Sequence, residues 1–415
     1  MGRKLIALFF VAAVLLPFSA PAQDIVGSTR SAPSPTPNPG EAIAVGPFLF
    51  SPALQLSWQH RDNIFFTPDN EVADNVYLAR ARLVFELPIY ESYVRFSYTP
   101  QFRDFKEYEL EDNWAHFVNV AGGFQFASGL TLDLSYDYIV GNLETREVDP
   151  GGELVFGDRN FTKNFASAEL GYWFGPRDGI TVRANWTDVQ YDEPELFFPY
   201  NRLFGGVGWK HQISPVLVMD LEYGHIEFET QDVEGVDNSF RDSTSDQVTV
   251  GLRGQLGPVT STELRVGYRQ TGFDVLPGDP PTEDFKSFIA DGFISWELGH
   301  GGTFRIDALR SDYPSNFGPN AYYVATGGSL MYGLDRGRLF GQLRARYQNN
   351  DYELPDPGTG VVRSDDIATL GAGLGYRLSS VLSLHGAYLY EDRDSNIYDF
   401  SYTSNTFTLG LVLGY

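Results

Sequence analysis

The chain has 415 residues, of which 15% are aromatic and 43 are glycine, and it contains no cysteine. The absence of cysteine excludes disulfide, iron–sulfur and thiolate–metal chemistry, and we expect no cofactor. The formal net charge of −24 excludes nucleic acid as an expected partner, because its phosphates would be repelled. Many aromatic residues and glycines with few helix formers indicate an all-β chain.

Residues 1–22 are predicted to be a secretory signal peptide. Arg3 and Lys4 precede an apolar run from Leu5 to Phe18, and Ala20-Pro21-Ala22 provides a small-residue cleavage site. The apolar run is shorter than the ~20 residues that a membrane-spanning helix needs. An uncleaved N-terminal anchor is the alternative. Cleavage would place the mature chain outside the cytoplasm.

Residues 23–46 are predicted to form a periplasmic tail. Prolines stand at every second position from Pro33 to Pro39, and this spacing prevents both a helix and a hydrogen-bonded strand. We expect an extended linker. It either serves only as a spacer or contacts a periplasmic export partner.

Residues 47–415 are predicted to form a transmembrane antiparallel up-and-down β-barrel. Segments of about 10 to 14 residues alternate apolar with polar or small residues, as strands between lipid and an aqueous lumen do. Short gaps such as Ser214-Pro215 alternate with long acidic gaps such as Leu143–Thr162. This rhythm predicts 18 strands, with 16 as the alternative, and an even number places both termini in the periplasm. The predicted strand cores are 50–60, 75–87, 92–103, 113–126, 130–141, 163–174, 180–191, 200–211, 216–228, 244–256, 260–271, 285–298, 302–312, 321–333, 338–349, 365–377, 381–391 and 402–415.

The last predicted strand carries the most specific signal for the outer membrane of a Gram-negative cell. Apolar side chains occupy every second position up to the final residue, while Thr408 and Gly410 lie on the other face. This arrangement resembles the insertion signal that the barrel assembly machinery reads, with tyrosine in place of the usual terminal phenylalanine. The residues of this signal are Phe407, Leu409, Leu411, Leu413 and Tyr415.

Strand alternation also assigns the lumen face. An arginine facing lipid near the middle of the membrane would cost about 2–4 kcal/mol, so charged residues are sorted inward. They either form ion pairs that stiffen the wall or guide an anionic or hydroxyl-rich solute. Acids such as Asp220 and Asp291 argue against a simple anion pore and favour a neutral or weakly charged polysaccharide. The candidates are Arg80, Arg82, Arg95, Arg103, Arg183, Arg265, Arg269, Arg305, Arg344, Arg346, Glu263 and Asp307.

The long loops contain dense clusters of acidic residues, for example around Glu107, Glu144 and Asp232. Such clusters can bind calcium or bridge it to lipopolysaccharide phosphates, but solvated loops are the default interpretation. None matches a calcium-binding loop of the EF-hand type. The six histidines form no metal-ligand pair and no Gly-x-Ser-x-Gly motif occurs, so the sequence predicts neither a metal site nor an enzyme.

The first predicted hairpin, residues 50–74, carries a family resemblance. Asp62-Asn63-Ile64-Phe65 at the end of the first strand and the following Asp74 resemble the first hairpin of β-barrel porins encoded with exopolysaccharide biosynthesis genes. Arg61 departs from the acidic residue that usually precedes the Asp-Asn pair. The resemblance implies an outer-membrane barrel that takes part in capsule or exopolysaccharide export, and it assigns no catalytic or ligand-binding residue.

Three functions therefore remain open. The first is polysaccharide export. For this function the expected partners are the polysaccharide and a periplasmic export partner, besides outer-membrane lipid, lipopolysaccharide and the barrel assembly machinery. The second is a general or solute-selective diffusion porin, for which the Leu143–Thr162 loop is the best available constriction loop. The third is a structural or adhesive barrel without transport.

Overall fold

The computed structural model describes residues 42–108, 113–142, 151–153, 160–192, 197–231, 238–274 and 280–414. The predicted signal peptide, most of the predicted tail and Tyr415 lie outside these residues, as do many of the loop acids. Apart from three short 3₁₀ turns, the described elements are all strands. They are β1 Ile43–Val45, β2 Phe48–Arg61, β3 Asp74–Ile89, β4 Ser92–Phe105, β5 Asn113–Gln125, β6 Leu130–Asn142, β7 Asn160–Trp173, β8 Asp178–Tyr191, β9 Tyr200–Ser214, β10 Leu217–Thr230, β11 Ser243–Gly257, β12 Thr260–Phe273, β13 Phe285–Leu298, β14 Gly302–Pro314, β15 Tyr322–Arg336, β16 Leu339–Pro355, β17 Val362–Arg377, β18 Leu382–Ser395 and β19 Tyr402–Gly414.

Strands β2 to β19 form a closed antiparallel barrel of 18 strands. Each strand pairs with its neighbour in sequence, and β19 pairs with β2 to complete the ring. The short β1 pairs with the start of β2, with Ile43 opposite Phe50. The last residues of the predicted tail are thus attached to the rim at the short-turn end of the barrel.

The predicted strands are confirmed. Every predicted core coincides with one strand of the barrel, and the count is 18 rather than 16. The main difference is length, since β16 continues to Pro355 and β10 to Thr230, both beyond their predicted ends. Cross-strand hydrogen bonding continues there among polar residues, above the apolar segment that made the strand recognisable.

Alternation separates an apolar outer surface from a polar inner one. On β19, Leu409 is 60% exposed whereas its neighbour Thr408 is 4% exposed. An apolar side chain so exposed would be unfavourable in water, and a belt of such side chains around the ring is the surface of a barrel that contacts lipid. The described residues contain no helix that is long and apolar enough to cross a membrane.

Tyrosines mark the edge of this belt at the long-loop end. The Tyr223 hydroxyl donates to Asp246 on the next strand at 2.5 Å, and Tyr347 donates to Asp366 at 2.6 Å. Each ring therefore faces the apolar belt while its hydroxyl reaches a polar group. This is the position that interfacial aromatic residues take in membrane barrels.

Candidate solute pathway

Charged side chains of opposite sign meet across neighbouring strands on part of the lumen wall. Arg95 on β4 donates to Glu86 on β3 at 2.7 Å. Arg183 on β8 lies between Glu169 at 3.1 Å and Glu222 at 3.3 Å. Lys210 adds a contact to Glu169 at 2.7 Å, so this acid is held by two cations. These contacts place predicted lumen arginines in ion pairs that tie adjacent strands together.

The other candidates on β3 and β4 differ from one another in their surroundings. Arg80 donates from Nε to Gln101 at 2.8 Å, and Arg103 is buried against the wall. Arg82 is exposed. The structure therefore brings Arg80 and Arg103 near each other, with Arg82 apart from them.

The predicted lumen residues on β12 to β16 lie along the wall opposite β3 and β4. Arg269 reaches from β12 to Asp312 on β14 at 2.5 Å, and Arg305 pairs with Asp307 at 2.5 Å. Asp307 also accepts from Ser329 at 2.9 Å. Arg344 and Arg346 line a small cavity beside Asp307, and Arg346 donates to Gln348.

An open cavity lies in the lumen between these walls, and its empty space, together with the solvent space it opens to, is about 1240 Å³. Arg202, Arg253 and Arg265 line it, and none of the three has a carboxylate within ion-pair distance among the described residues. Asp133, Glu263 and Asp291 line the same cavity. A solute entering here would meet arginine side chains that are not already held in ion pairs, together with carboxylates.

The described part of the loop between β6 and β7 lies against the far side of the barrel. Its described residues, Gly151 to Glu153, contact the far wall. The Glu153 carboxylate accepts from the Ser315 hydroxyl at 2.5 Å and from the Asn316 backbone at 2.7 Å. Arg393 on β18 donates to the Glu153 carbonyl at 2.8 Å and to the Gly152 carbonyl. The long loop predicted as a constriction is thus fixed inside the barrel at its midpoint.

Glycine is required at the point where this loop meets the wall. A Cβ at Gly151 would overlap the side chains of Tyr323 and Tyr313. The Gly151 carbonyl accepts from the Gln348 amide at 2.6 Å. The backbone therefore packs directly on the opposite strands, which a larger residue at this position would prevent.

Further arginines fix the loops at this end of the barrel. Arg363 is 1% exposed, pairs with Asp365 at 2.7 Å and lies 3.8 Å from the centre of the Phe400 ring. Arg241 donates to the carbonyls of Ser315 at 3.1 Å and Gly318 at 2.7 Å. Burial lowers the pKa of the Arg241 guanidinium to about 10.

Arg241, Arg363 and Arg393 are not among the lumen residues predicted from the sequence. Arg363 and Arg393 stand on the inward parity of β17 and β18, so extending the alternation beyond the apolar segments would have placed both in the lumen. Arg241 lies in a loop, where alternation gives no information. Arg202 and Arg253 also follow the inward parity of their strands, so the same alternation would have placed both in the lumen.

The first hairpin closes the ring. The Asn63 side chain is fully buried and donates to the carbonyls of Thr67 at 2.8 Å and Thr403 at 3.0 Å. Asp62 accepts from the backbone and side chain of Asn405 at 2.7 and 2.6 Å. Ile64 is fully buried beside Val76, and the Phe65 ring contacts Tyr108. The motif therefore joins the β2–β3 loop to β19 and does not face the cavity.

The second half of the barrel matches a known family model. Residues 212–415, slightly less than half of the chain, match the model described as "Putative beta-barrel porin 2". This part of the chain is similar to porins. The match covers β10 to β19 and hence the far wall on which the β6–β7 loop is fixed. No curated protein matches the chain.

Several solved porin structures are similar to the chain at low identity. OpdK of Pseudomonas aeruginosa with vanillate aligns with a TM-score of 0.45 and 12% identity over 88% of this chain and 99% of its own. OccK2 (OpdF) of the same organism aligns at 0.47 and 11%, over 88% and 98%. OccAB3 of Acinetobacter baumannii aligns at 0.46 and 11%, over 89% and 100%. These values are too low to transfer a substrate to this chain. None of the matches shows an association with exopolysaccharide.

Proposed function

We propose that this chain is an outer-membrane diffusion channel for small hydrophilic solutes, constricted by its β6–β7 loop. The long loops then face the outside, both termini face the periplasm, and β19 is the segment that the assembly machinery recognises. The observation that carries the proposal is the attachment of Gly151–Glu153 to the wall opposite the loop's own strands. A closed 18-strand barrel of porin type with such a loop has the parts of a size-limited pore.

The described loop residues and the cavity occupy different parts of the lumen. Glu153 and its partners occupy one side, while the cavity near Arg265 lies toward β6 to β14. Because that cavity has arginines and carboxylates, a solute with polar groups of either kind can exchange water for protein contacts there. We therefore expect modest selectivity among small polar solutes and exclusion of large ones.

The hypothesis of polysaccharide export is less well supported than the diffusion channel. The resemblance at Asp62–Phe65 suggested it, but those residues join β2 to β19 and take no part in the lumen. A polymer would also have to pass the β6–β7 loop, which is fixed at its midpoint. Loss of surface polysaccharide on deletion of the gene would favour export over diffusion.

Conductance tests the proposal directly. The purified protein, refolded and inserted into planar bilayers, should give stable steps of equal height in salt solution. Vesicles containing it should swell in monosaccharide solutions and should not swell in large dextrans. A barrel without conductance would contradict the proposal and favour the structural or adhesive alternative, and swelling in dextran would contradict the constriction.

A further inference from the structure

The barrel wall contains a gap between β13 and β14. These strands pair only from Ala290 opposite Arg310 to Leu298 opposite Gly302. From the Ala290–Arg310 pair toward the long-loop end, residues 285–289 pair with β12 alone and residues 311–314 pair with β15 alone. This is the longest stretch over which two neighbouring strands of the described barrel both continue without pairing to each other. Gly292, two residues below the split, has a φ of 143°, a conformation that favours glycine.

The lumen cavity borders this gap. Asp291 and Leu309, which have the inward parity of their strands, line the cavity. Ala290 and Arg310, which have the outward parity, line it as well. Ala168, which has the outward parity of the fully paired β7, lines the cavity too, so Ala290 and Arg310 place the cavity beside the lower end of the gap and no further.

One side chain already passes through the wall. Asp312 has the outward parity of β14, like Ile306, which is 39% exposed. The Asp312 side chain is only 10% exposed and accepts from Arg269, a lumen residue of β12, at 2.5 Å. Thr271 donates to the same carboxylate at 3.1 Å. The gap is thus wide enough for a carboxylate, and an ion pair closes it on the lumen side.

A cation stands at the gap on the membrane side. The guanidinium of Arg310 lies 4.7 Å from the centre of the Phe288 ring and donates to Thr326 at 2.7 Å and to Ser287 at 3.4 Å. Among the described residues no carboxylate lies within ion-pair distance of it, and its Nε is buried without a hydrogen-bond partner. Phe288 is 59% exposed, so the cation borders an apolar surface.

The gap is bounded at both ends. Below it lies the β13–β14 ladder, and above it the Tyr322 ring contacts Phe273 at 5.2 Å and Phe285 at 5.9 Å. These rings connect the ends of β12 and β13 to the start of β15. Between ladder and rings the unpaired stretch extends for about 15 Å along the strands, given a rise of about 3.3 Å per residue.

We propose that the β13–β14 gap is a lateral portal through which a single-chain fatty carboxylate passes between the outer leaflet and the lumen. Arg310 binds the carboxylate on the membrane side. Arg269 binds it in the lumen once the ion pair between Arg269 and Asp312 has opened. The acyl chain lies along Phe288 outside and along Ile289 and Leu309 inside the gap. This path is separate from axial diffusion of hydrophilic solutes, since it begins in the membrane.

Photo-crosslinking can locate the acyl chain of the fatty acid. The barrel is refolded into phospholipid vesicles that contain a diazirine-bearing fatty acid, irradiated and mapped by mass spectrometry. Because the chain has no cysteine, the variant Ser287→Cys with Ser311→Cys can be bridged specifically across the gap by a short bis-methanethiosulfonate. The matched control joins Ser311→Cys to Ala325→Cys, across the intact β14–β15 ladder. Only the folded, heat-modifiable form of each is used.

Adducts on cavity residues such as Ser167 and Leu309 are expected in the unmodified barrel and in the bridged control, and they should be lost when the gap is bridged. Adducts restricted to the outer belt in all three proteins would overturn the portal. Arg310→Gln should reduce lumen adducts of the fatty acid but not of its primary amide. Equal labelling of the lumen by a diazirine-bearing diacyl phospholipid would overturn the single-chain specificity. Axial conductance does not depend on these outcomes, so the two proposals can fail separately.

Discussion

Arginines occupy two contrasting regions of the lumen. At the long-loop end, Arg363 and Arg393 are buried almost completely and bind carboxylates, rings and loop carbonyls. In the middle of the lumen, Arg202 and Arg265 line an open cavity and have no ion pair among the described residues. The same residue type therefore fixes a loop in one region and faces the solute path in the other.

The difference lies in desolvation. A buried guanidinium has lost its water and depends on protein partners, so removing one partner leaves an uncompensated charge. A guanidinium beside an aqueous cavity keeps part of its hydration, and its positive charge acts on mobile ions. Substitutions in the first region should change stability and pore size, and substitutions in the second should change selectivity alone.

The largest effect is expected from Asp365→Asn. This change leaves Arg363 and Arg393 buried without the carboxylate they share, at 2.7 and 3.9 Å. Loss of one partner of a buried pair costs about 3–5 kcal/mol, so the free energy of unfolding in urea should fall by that order. Asp335→Asn is the control, because it breaks an exposed pair with Arg377 that is worth about 0–1 kcal/mol. Equal losses of unfolding free energy in the two variants would contradict the difference argued here between buried and exposed ion pairs.

Arg393→Gln should release the constriction. Glutamine is too short to donate to both the Gly152 and Glu153 carbonyls as Arg393 does. We expect larger and noisier single-channel conductance steps, because the β6–β7 loop loses an anchor on the far wall. Arg377→Gln, at the short-turn end, should leave the step height unchanged. An unchanged conductance in Arg393→Gln would show that this anchor does not limit the pore.

Selectivity should change without loss of stability when cavity residues are substituted. Arg265→Gln removes a positive charge from the cavity, so the ratio of anion to cation permeability should fall. Glu263→Gln, two residues away on the same strand and in the same cavity, should raise that ratio. Reversal potentials in a salt gradient measure both. Shifts of the same sign would contradict a path through this cavity.

The sequence was sufficient to predict the barrel because lipid imposes a strict rule on each strand. Charged residues such as Arg183 had to face inward and Leu409 outward, so alternation and turn rhythm predicted all 18 strands. No comparable rule applies to loops. That Gly151 packs on Tyr323 depends on a contact between distant parts of the chain, and nothing local in the sequence specifies it.

The sequence pattern does not indicate the β13–β14 gap either. Asp312 breaks the outward apolar pattern of β14, but the same irregularity also occurs where a strand simply leaves the membrane, as at Asp246 on β11. Only the register of the neighbouring strands distinguishes the two cases. The resemblance at Asp62–Phe65 was informative about ring closure, a role that its pattern of residues does not reveal.

The smallest effect is expected from Arg95→Gln, which tests the boundary between the two regions. Arg95 pairs with Glu86 at 2.7 Å, but the side chains are 39% and 28% exposed. A pair so accessible to water contributes about 0–1 kcal/mol, and a double-mutant cycle with Glu86→Gln should give a coupling energy within that range. In the double variant, reversal potential and conductance should stay close to those of the unmodified barrel, because the pair carries no net charge and lies away from both the cavity and the loop anchor. A coupling energy as large as the loss of unfolding free energy in Asp365→Asn would contradict this prediction. A hydrated pair would then stabilise the wall as strongly as a buried one, and burial would not distinguish arginines that stabilise the fold from arginines that line the solute path.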